Sequence, residues 1–301
     1  MTGQCQDRVV IVTGAGRGLG RAHALEFARQ GAKVLVNDLG VDRDGTGESR
    51  SPAQQVVDEI RSAGGTAEVN DADVADWDQA KIMINQAVET WGRLDTLVCN
   101  AGFLRDRMLV NMSEEEWDAV VRVHLKGHFA PARHAAAYWR DQTKAGEEVT
   151  ARVVNTSSGA GLLGSIGQGN YAAAKAGIAT LTIQQAAEWG RYGVQVNAIA
   201  PDARTRMTEG IFYSSDDVTS EEFDEKDPAN ASPLVVWLGS AECDVTGRMF
   251  EITGGELNVC DGWQHGKVVS VGNRRYDAGE IASAVHESIA ATPTPAPVYG
   301  T

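Results

Sequence analysis

Apolar residues fall into short continuous runs separated by longer stretches in which they recur every three or four positions. "RVVIVTG" (8–14), "AKVLVND" (32–38), "LDTLVCNAG" (94–102), "ARVVNTSSG" (151–159) and "VQVNAIAP" (194–201) are such runs. Their valines and isoleucines leave no polar face, as expected of strands buried on both sides. "TAEVNDADV" (66–74) is a weaker strand and "MFEIT" (249–253) a last one. Helical periodicity predicts helices at about 18–30, 52–63, 77–91, 113–142, 170–190 and 230–240. Regular strand–helix alternation means βαβ units, hence an α/β fold with a doubly wound parallel sheet of Rossmann type. Such sheets bind ligands beyond the carboxyl ends of their strands. The polar clusters of this chain lie at those ends.

Three segments interrupt the rhythm. "GVDRDGTGESRSP" (40–52) is a long polar loop. "DARTRMTEGIFYSSDDVTSEEFDEKDP" (202–228) is acidic and reads as either a substrate lid or a solvated loop. Beyond the last strand, "AGEIASAVHESIAA" has the pattern of a short helix, and the Pro-rich "TPTPAPVYGT" is expected to be poorly ordered. The expected organisation is one domain, residues 1–265, followed by a partly disordered C-terminal extension, 266–301.

Composition narrows the function. With 27 basic against 41 acidic residues, the net charge of −14 argues against a nucleic-acid surface. An anionic ligand must therefore be met by backbone N–H groups or a few arginines. Cys5, Cys99, Cys243 and Cys260 have neither C-x-x-C nor zinc spacing, so reduced thiols are expected. "MTGQCQDRVV" has no signal-peptide core, no run is long enough to span a membrane, and the terminus is not S-K-L. A cytoplasmic protein is the expectation.

"TGAGRGLG", Thr13 to Gly20, lies between the first strand and the first helix. It does not fit G-x-G-x-x-G but does fit T-G-x-x-x-G-x-G. The physics is the same, because glycines let the backbone approach a pyrophosphate at a helix N-terminus. Gly14, Arg17, Gly18, Leu19 and Gly20 are the candidate cradle. Asp38 ends the second strand, where a carboxylate accepts from ribose hydroxyls and repels a 2′-phosphate. Arg17 points weakly the other way. The balance favours NAD over NADP. Asp73 and Val74 end the third strand, and Asn100, Ala101 and Gly102 end the fourth, where small residues leave a floor under a ribose.

In "SIGQGNYAAAKAG" (165–177), Tyr171 and Lys175 are i,i+4 neighbours on a helix face otherwise made of alanine and glycine. With "TGAGRGLG", "CNAG", "NTSSGAG" and "YAAAK" in this order, the chain resembles the short-chain dehydrogenase/reductase family from about Arg8 to Gly262. "VLVNDLG", "GFLRDRML", "VRVHLKG", "GQGNYAAAK" and "IAPDARTRM" look like one branch of it. That branch is the (3R)-hydroxyacyl-CoA dehydrogenase part of peroxisomal multifunctional enzymes of type two, also described as a 17β-hydroxysteroid dehydrogenase.

The resemblance implies NAD-linked oxidation of a 3-hydroxyacyl thioester, no metal, and a homodimer or homotetramer paired through its long helices. It implies Ser158, Tyr171 and Lys175 as the catalytic set, with Tyr171 as general base and Lys175 holding the nicotinamide ribose. On this reading the Lys175 ammonium and the positive nicotinamide favour the phenolate. Pro201 and Thr205 fit contacts near the nicotinamide carboxamide. His124 stands where the family usually carries an asparagine that helps to hold a relay water. It either holds that water or packs as a neutral spacer. Cys99, in place of the first asparagine of "NNAG", reads as a packed strand residue. Arg105 and Arg107 are either CoA-phosphate ligands or surface salt-bridge partners. Two other readings stay open: a dehydrogenase of another secondary alcohol such as a hydroxysteroid, and a non-catalytic dinucleotide sensor.

Overall fold

The computed structural model describes residues 3–40, 51–204, 223–260, 265–266, 268–291, 293 and 296–298. Eight strands form one sheet in the order β3-β2-β1-β4-β5-β6-β7-β8. They are β1 (Val9–Thr13), β2 (Lys33–Asn37), β3 (Thr66–Asn70), β4 (Thr96–Cys99), β5 (Ala151–Thr156), β6 (Val194–Asp202), β7 (Met249–Thr253) and β8 (Glu256–Cys260). The first seven are parallel, and β8 turns back antiparallel on β7. The sequence reading stops at β7. Glu256, Leu257, Asn258 and Val259 are all exposed, so β8 lacks the apolar run that marks the other strands.

Alternate residues of each central strand enter opposite cores. Val10, Val12, Val34, Val36, Val98 and Val154 face one core; Val9, Ile11, Leu35, Leu97 and Val153 face the other. Burying each such side chain contributes roughly 1.5–3 kcal/mol. The first core is covered by α1 (Gly18–Arg29), α2 (Ser51–Ser62) and α8 (Ser232–Gly239). The second is covered by α3 (Trp77–Trp91), α5 (Gly127–Lys144) and α7 (Gly169–Trp189).

The helix expected over 113–142 is two helices. After α4 (Glu114–Val121), which opens on a capping box between Ser113 and Glu116, residues Arg122–Lys126 form a wider π-helical turn and α5 follows. Such turns add a residue to the spiral and re-aim its side chains. Here the turn carries His124 inward. α6 (Gly159–Leu163) is a further short helix, and α9 (Ile281–Ala290) matches the periodicity of the extension. No helix among the described residues is long and apolar enough to cross a membrane.

Candidate functional site

The glycine cradle joins β1 to α1. Gly14 and Gly18 have φ of +63° and +51°, a left-handed conformation that suits glycine. A Cβ on Gly20 would stand 2.1 Å from the Gly14 carbonyl oxygen, and one on Gly14 would stand 2.7 Å from Ala101 Cα. The backbone is therefore laid bare where β1, α1 and the end of β4 meet. Arg17 is extended at the N-cap of α1, its side chain does not cap the helix, and the first turn carries no acidic residue. The free N–H groups and positive end of this 12-residue helix suit a pyrophosphate. Thr13 ties the cradle to the β4 end: its Oγ1 accepts from the Asn100 and Ala101 N–H groups at 2.9 and 3.2 Å. Asn100 Nδ2 donates back to the Thr13 and Gly14 carbonyls.

Asp38 is fixed beside this strip. Its Oδ2 accepts from Gly16 N–H at 2.8 Å and its Oδ1 from Gly40 N–H at 2.7 Å. A carboxylate has about four acceptor positions, so both oxygens keep capacity for a hydroxyl. These residues fit a dinucleotide. Val74 is buried against Gly127, where a Cβ would stand 2.8 Å from its side chain. The Asp73 carboxylate is engaged by Arg122 at 2.7 Å and by Ala75 N–H at 2.8 Å. Pro201 lies in the last turn-out of β6, and Thr205 lies outside the described residues.

The second cluster is formed by β5, α6, α7 and the π-helical turn. Ser158 caps α6, its Oγ accepting from Ala160 N–H at 3.2 Å, and it stands close enough to the Tyr171 phenol to favour the ionised form. Lys175 Nζ lies 5.4 Å from the centre of the Tyr171 ring and donates to the Thr156 carbonyl at 2.7 Å. The His124 ring meets the Tyr171 ring edge-on, centres 5.1 Å apart. So Ser158, Tyr171, Lys175 and His124 come together from three segments, at the carboxyl end of β5.

Family membership follows from the chain as a whole. The short chain dehydrogenase family model matches residues 8–214. The chain belongs to that family. It is 43% identical over 296 residues to "Hydroxyacyl-CoA dehydrogenase ChsB1" of Mycobacterium tuberculosis, covering 96% of this chain and 90% of that protein. It is 42% identical over 251 residues to the peroxisomal multifunctional enzyme type 2 of Mus musculus, covering 82% of this chain and 32% of that longer protein. The crystal structure of a short chain dehydrogenase from Mycobacterium avium superimposes with a TM-score of 0.89 at 60% identity, covering 99% of this chain and 100% of the other. This protein is thus an oxidoreductase acting on CH–OH donors with a nicotinamide dinucleotide.

The electrostatics of this dehydrogenase site differ from the sequence expectation in one respect. Burial pushes the Tyr171 phenol up to about 12; the neighbouring Ser158 works against this and the Asp106 charge works with it. Burial pushes the Lys175 ammonium down to about 7. In the dinucleotide-free protein the phenol is therefore further from ionising than a free tyrosine.

His124 is neutral. Burial, with the Lys175 charge second, holds it well below the ordinary imidazole value. Its Nε2 lies 2.8 Å from the Phe103 carbonyl oxygen and 3.2 Å from Phe103 N. The shorter contact favours a donating Nε2–H, which leaves Nδ1 a bare acceptor. Nδ1 is buried with no hydrogen-bond partner in the structure. His128, one α-turn on in sequence, takes a separate place: its Nε2 accepts from Thr156 N–H at 3.3 Å. Among the described residues, no three His, Cys, Asp or Glu side chains converge on one point.

Cys99 is fully buried and its thiol is pushed up to about 12, as suits a packed strand residue. Arg107 pairs with Glu116 at 2.8 Å, and Arg105 stacks over Phe103 at 5.8 Å from the ring centre. Asn170 was missed in the sequence. Fully buried, it donates to the Arg105 and Glu116 carbonyls and accepts from Tyr171 N–H at 2.7 Å. Gln168 was missed too; its amide donates to Asp106 at 3.0 Å. Together they lash the 105–107 segment to the first turn of the Tyr171 helix. The only sequence signal was two amides placed among glycines just before a tyrosine.

Proposed function

We propose that this protein interconverts a 3-hydroxyacyl-CoA thioester and its 3-keto form, with NAD as its dinucleotide. The observation that carries the reading is the half-buried Tyr171 side chain beside Ser158, with Lys175 Nζ 5.4 Å from its ring centre. The substrate class is supported by the near full-length likeness to a protein named hydroxyacyl-CoA dehydrogenase. Asp38 supports NAD: its fixed carboxylate would meet a 2′-phosphate with like charge. Residues 1–265 are the unit that carries the reaction.

Tyr171 acts as general base and takes the proton of the substrate hydroxyl on its phenolate oxygen. Ser158 Oγ–H donates to the substrate oxygen and orients it. Lys175 holds the dinucleotide's ribose and, when charged, favours the phenolate. The bound dinucleotide supplies the hydride acceptor. Pro201 lines its nicotinamide end, a role the sequence also suggests for Thr205, and Gly14, Arg17, Gly18, Leu19, Gly20, Asp38, Asp73, Val74, Asn100, Ala101 and Gly102 line the rest. A homodimer or homotetramer paired through α5 and α7 is consistent with the exposed Phe129 and Ile183 on those helices.

The test is NAD⁺ and NADP⁺ reduction with (3R)- and (3S)-hydroxyacyl-CoAs of several chain lengths, hydroxysteroids alongside. Turnover of the (3R)-thioesters with NAD⁺ is expected. Preference for a free hydroxysteroid would overturn the substrate class, and preference for NADP⁺ the cofactor.

A further inference from the structure

β6 runs on past Pro201 through Asp202, which pairs with Thr253 of β7. Two ion pairs stand there. Lys226 Nζ meets Asp202 Oδ2 at 2.6 Å, and Arg204 meets Asp224. The Arg204 N–H donates to the Lys226 carbonyl at 2.7 Å, joining the two backbones. All four side chains are less than one-third exposed. Pairs this enclosed are less screened than those on an open surface. The second segment is itself braced: Lys226 N–H donates to Asp224 Oδ1 at 3.0 Å and Asn230 Nδ2 to the Asp224 carbonyl at 2.8 Å. The β7–β8 turn packs on it, since a Cβ on Gly254 would stand 3.2 Å from that of Glu225.

The order of charges is informative. Residue 202 opposes 226 and residue 204 opposes 224, acid to base and then base to acid. A slip of two residues one way sets Asp202 against Asp224; a slip the other way sets Arg204 against Lys226. Either places like charges together, so the pattern selects one register and penalises its neighbours.

We propose that Asp202, Arg204, Asp224 and Lys226 form an ionic clamp that sets the register of the chain leaving β6 and so positions Pro201 beside the nicotinamide end of the dinucleotide. They are positioning residues and do not touch the reacting atoms. The proposal rests on the dinucleotide reading of the site, not on the identity of the substrate. Its consequence is a dependence of dinucleotide affinity on charge complementarity across the clamp, with the chemical step largely spared.

The experiment measures NADH binding by fluorescence and kcat at saturating dinucleotide. Lys226→Met and Asp202→Lys are each expected to raise the NADH Kd about tenfold and to change kcat less than threefold. The exchanged pair, Asp202→Lys with Lys226→Asp, is expected to recover most of the affinity. A brace that served stability alone would lower Tm and leave Kd unmoved. Should Asp202→Lys fail to fold by circular dichroism, Asp202→Asn replaces it, with a rise of at least threefold expected. A Kd within twofold of wild type in the folded single variants, or no recovery in the exchanged pair, overturns the clamp. Absence of NADH binding by the wild-type protein would instead overturn the dinucleotide reading beneath it.

Discussion

The His124 ring occupies the space that a side chain on Gly102 would need, with Cε1 2.1 Å from the ideal Cβ position. Gly102 belongs to the floor at the end of β4, and His124 to the π-helical turn before α5. The two are interlocked, because His124 also bonds through Nε2 to the neighbouring Phe103. Gly102→Ala must therefore displace either the ring or the floor. NADH affinity and kcat/KM are expected to fall at least tenfold. Adding His124→Ala removes the obstacle, so the double variant should bind NADH more tightly than Gly102→Ala alone. Equal or weaker binding in the double variant would mean that the ring and the glycine are not coupled.

Protonation of His124 gives a second test. A ring titrating near its ordinary value would produce an acid limb in activity at about pH 6–7. Burial and the Lys175 charge place this ring well below that range. The activity profile between pH 5.5 and 7 is thus expected to have the same shape in wild type and in His124→Asn. A limb that vanishes in that variant would show that His124 gains a proton within the range. Whether the bare Nδ1 holds a water is read separately: a relay role predicts that His124→Ala loses more turnover than His124→Asn.

Tyr171→Phe leaves the cradle intact and removes the base. Turnover should fall roughly 10²–10⁴-fold, the usual worth of a positioned general base, with NADH binding retained. The same phenol feels Asp106, whose charge opposes ionisation and whose carboxylate is held by Gln168. Asp106→Asn removes that opposition, so phenolate forms at lower pH. The rising limb of oxidation activity should then move toward acid. A limb that stays put, or moves toward base, would show that Asp106 does not act on Tyr171.

The sequence carried most of this site because its chemistry lies in contiguous motifs. The Thr13–Gly20 cradle and the Tyr171/Lys175 pair each sit on one element, where spacing alone sets proximity. Strands β1, β2, β4, β5 and β6 were legible because burial on both faces leaves an unbroken apolar run. What was hidden depends on long-range contact. β8 is exposed and finds its place only by pairing with β7. The Asn170 and Gln168 bonds reach back to residues 105–116, and nothing local to "GQGN" announces that reach. Residue 124 could be identified as a departure, but its partner, Phe103, depends on the π-helical turn. Burial, which the sequence does not reveal, raises the Tyr171 phenol in the dinucleotide-free protein.

Asp38 provides a further expectation. With both oxygens already held by backbone N–H groups, it cannot swing away from an incoming 2′-phosphate. Asp38→Asn keeps the shape and removes the charge. The preference for NAD⁺ over NADP⁺ in kcat/KM should narrow by about tenfold, equivalent to ~1.4 kcal/mol, chiefly through a lower KM for NADP⁺. An unchanged ratio would assign the discrimination elsewhere.

Lys175 makes the stability of the dinucleotide-free protein depend on pH in an unusual direction. Its ammonium is fully buried and titrates at about 7 instead of 10.5. Above pH 7 the folded protein has begun to lose this proton while the unfolded chain keeps it. The unfolded state then binds more protons, so stability rises with pH, approaching about 1.4 kcal/mol per unit for one fully displaced proton. Other groups confine the useful window. His23 and His128, both pushed down to about 3 by burial, withdraw stability only as pH falls below about 6.5. Cys5 and Cys99, raised to about 11 and 12, and Cys243, also raised, oppose the trend as the unfolded thiols ionise at about pH 8.5, and Tyr171 opposes it at about pH 10. Between pH 7 and about 7.8 the Tm of wild type is therefore expected to climb. Lys175→Met, which places hydrocarbon in the same buried position, should show a flatter profile and a higher Tm at pH 7. The same variant should lose turnover and bind NADH more weakly, since an ammonium that destabilises the free fold is what the dinucleotide's ribose is proposed to meet. A wild-type Tm that is level or falls across this window, or a Lys175→Met profile just as steep, would show that the buried lysine is not the titrating group.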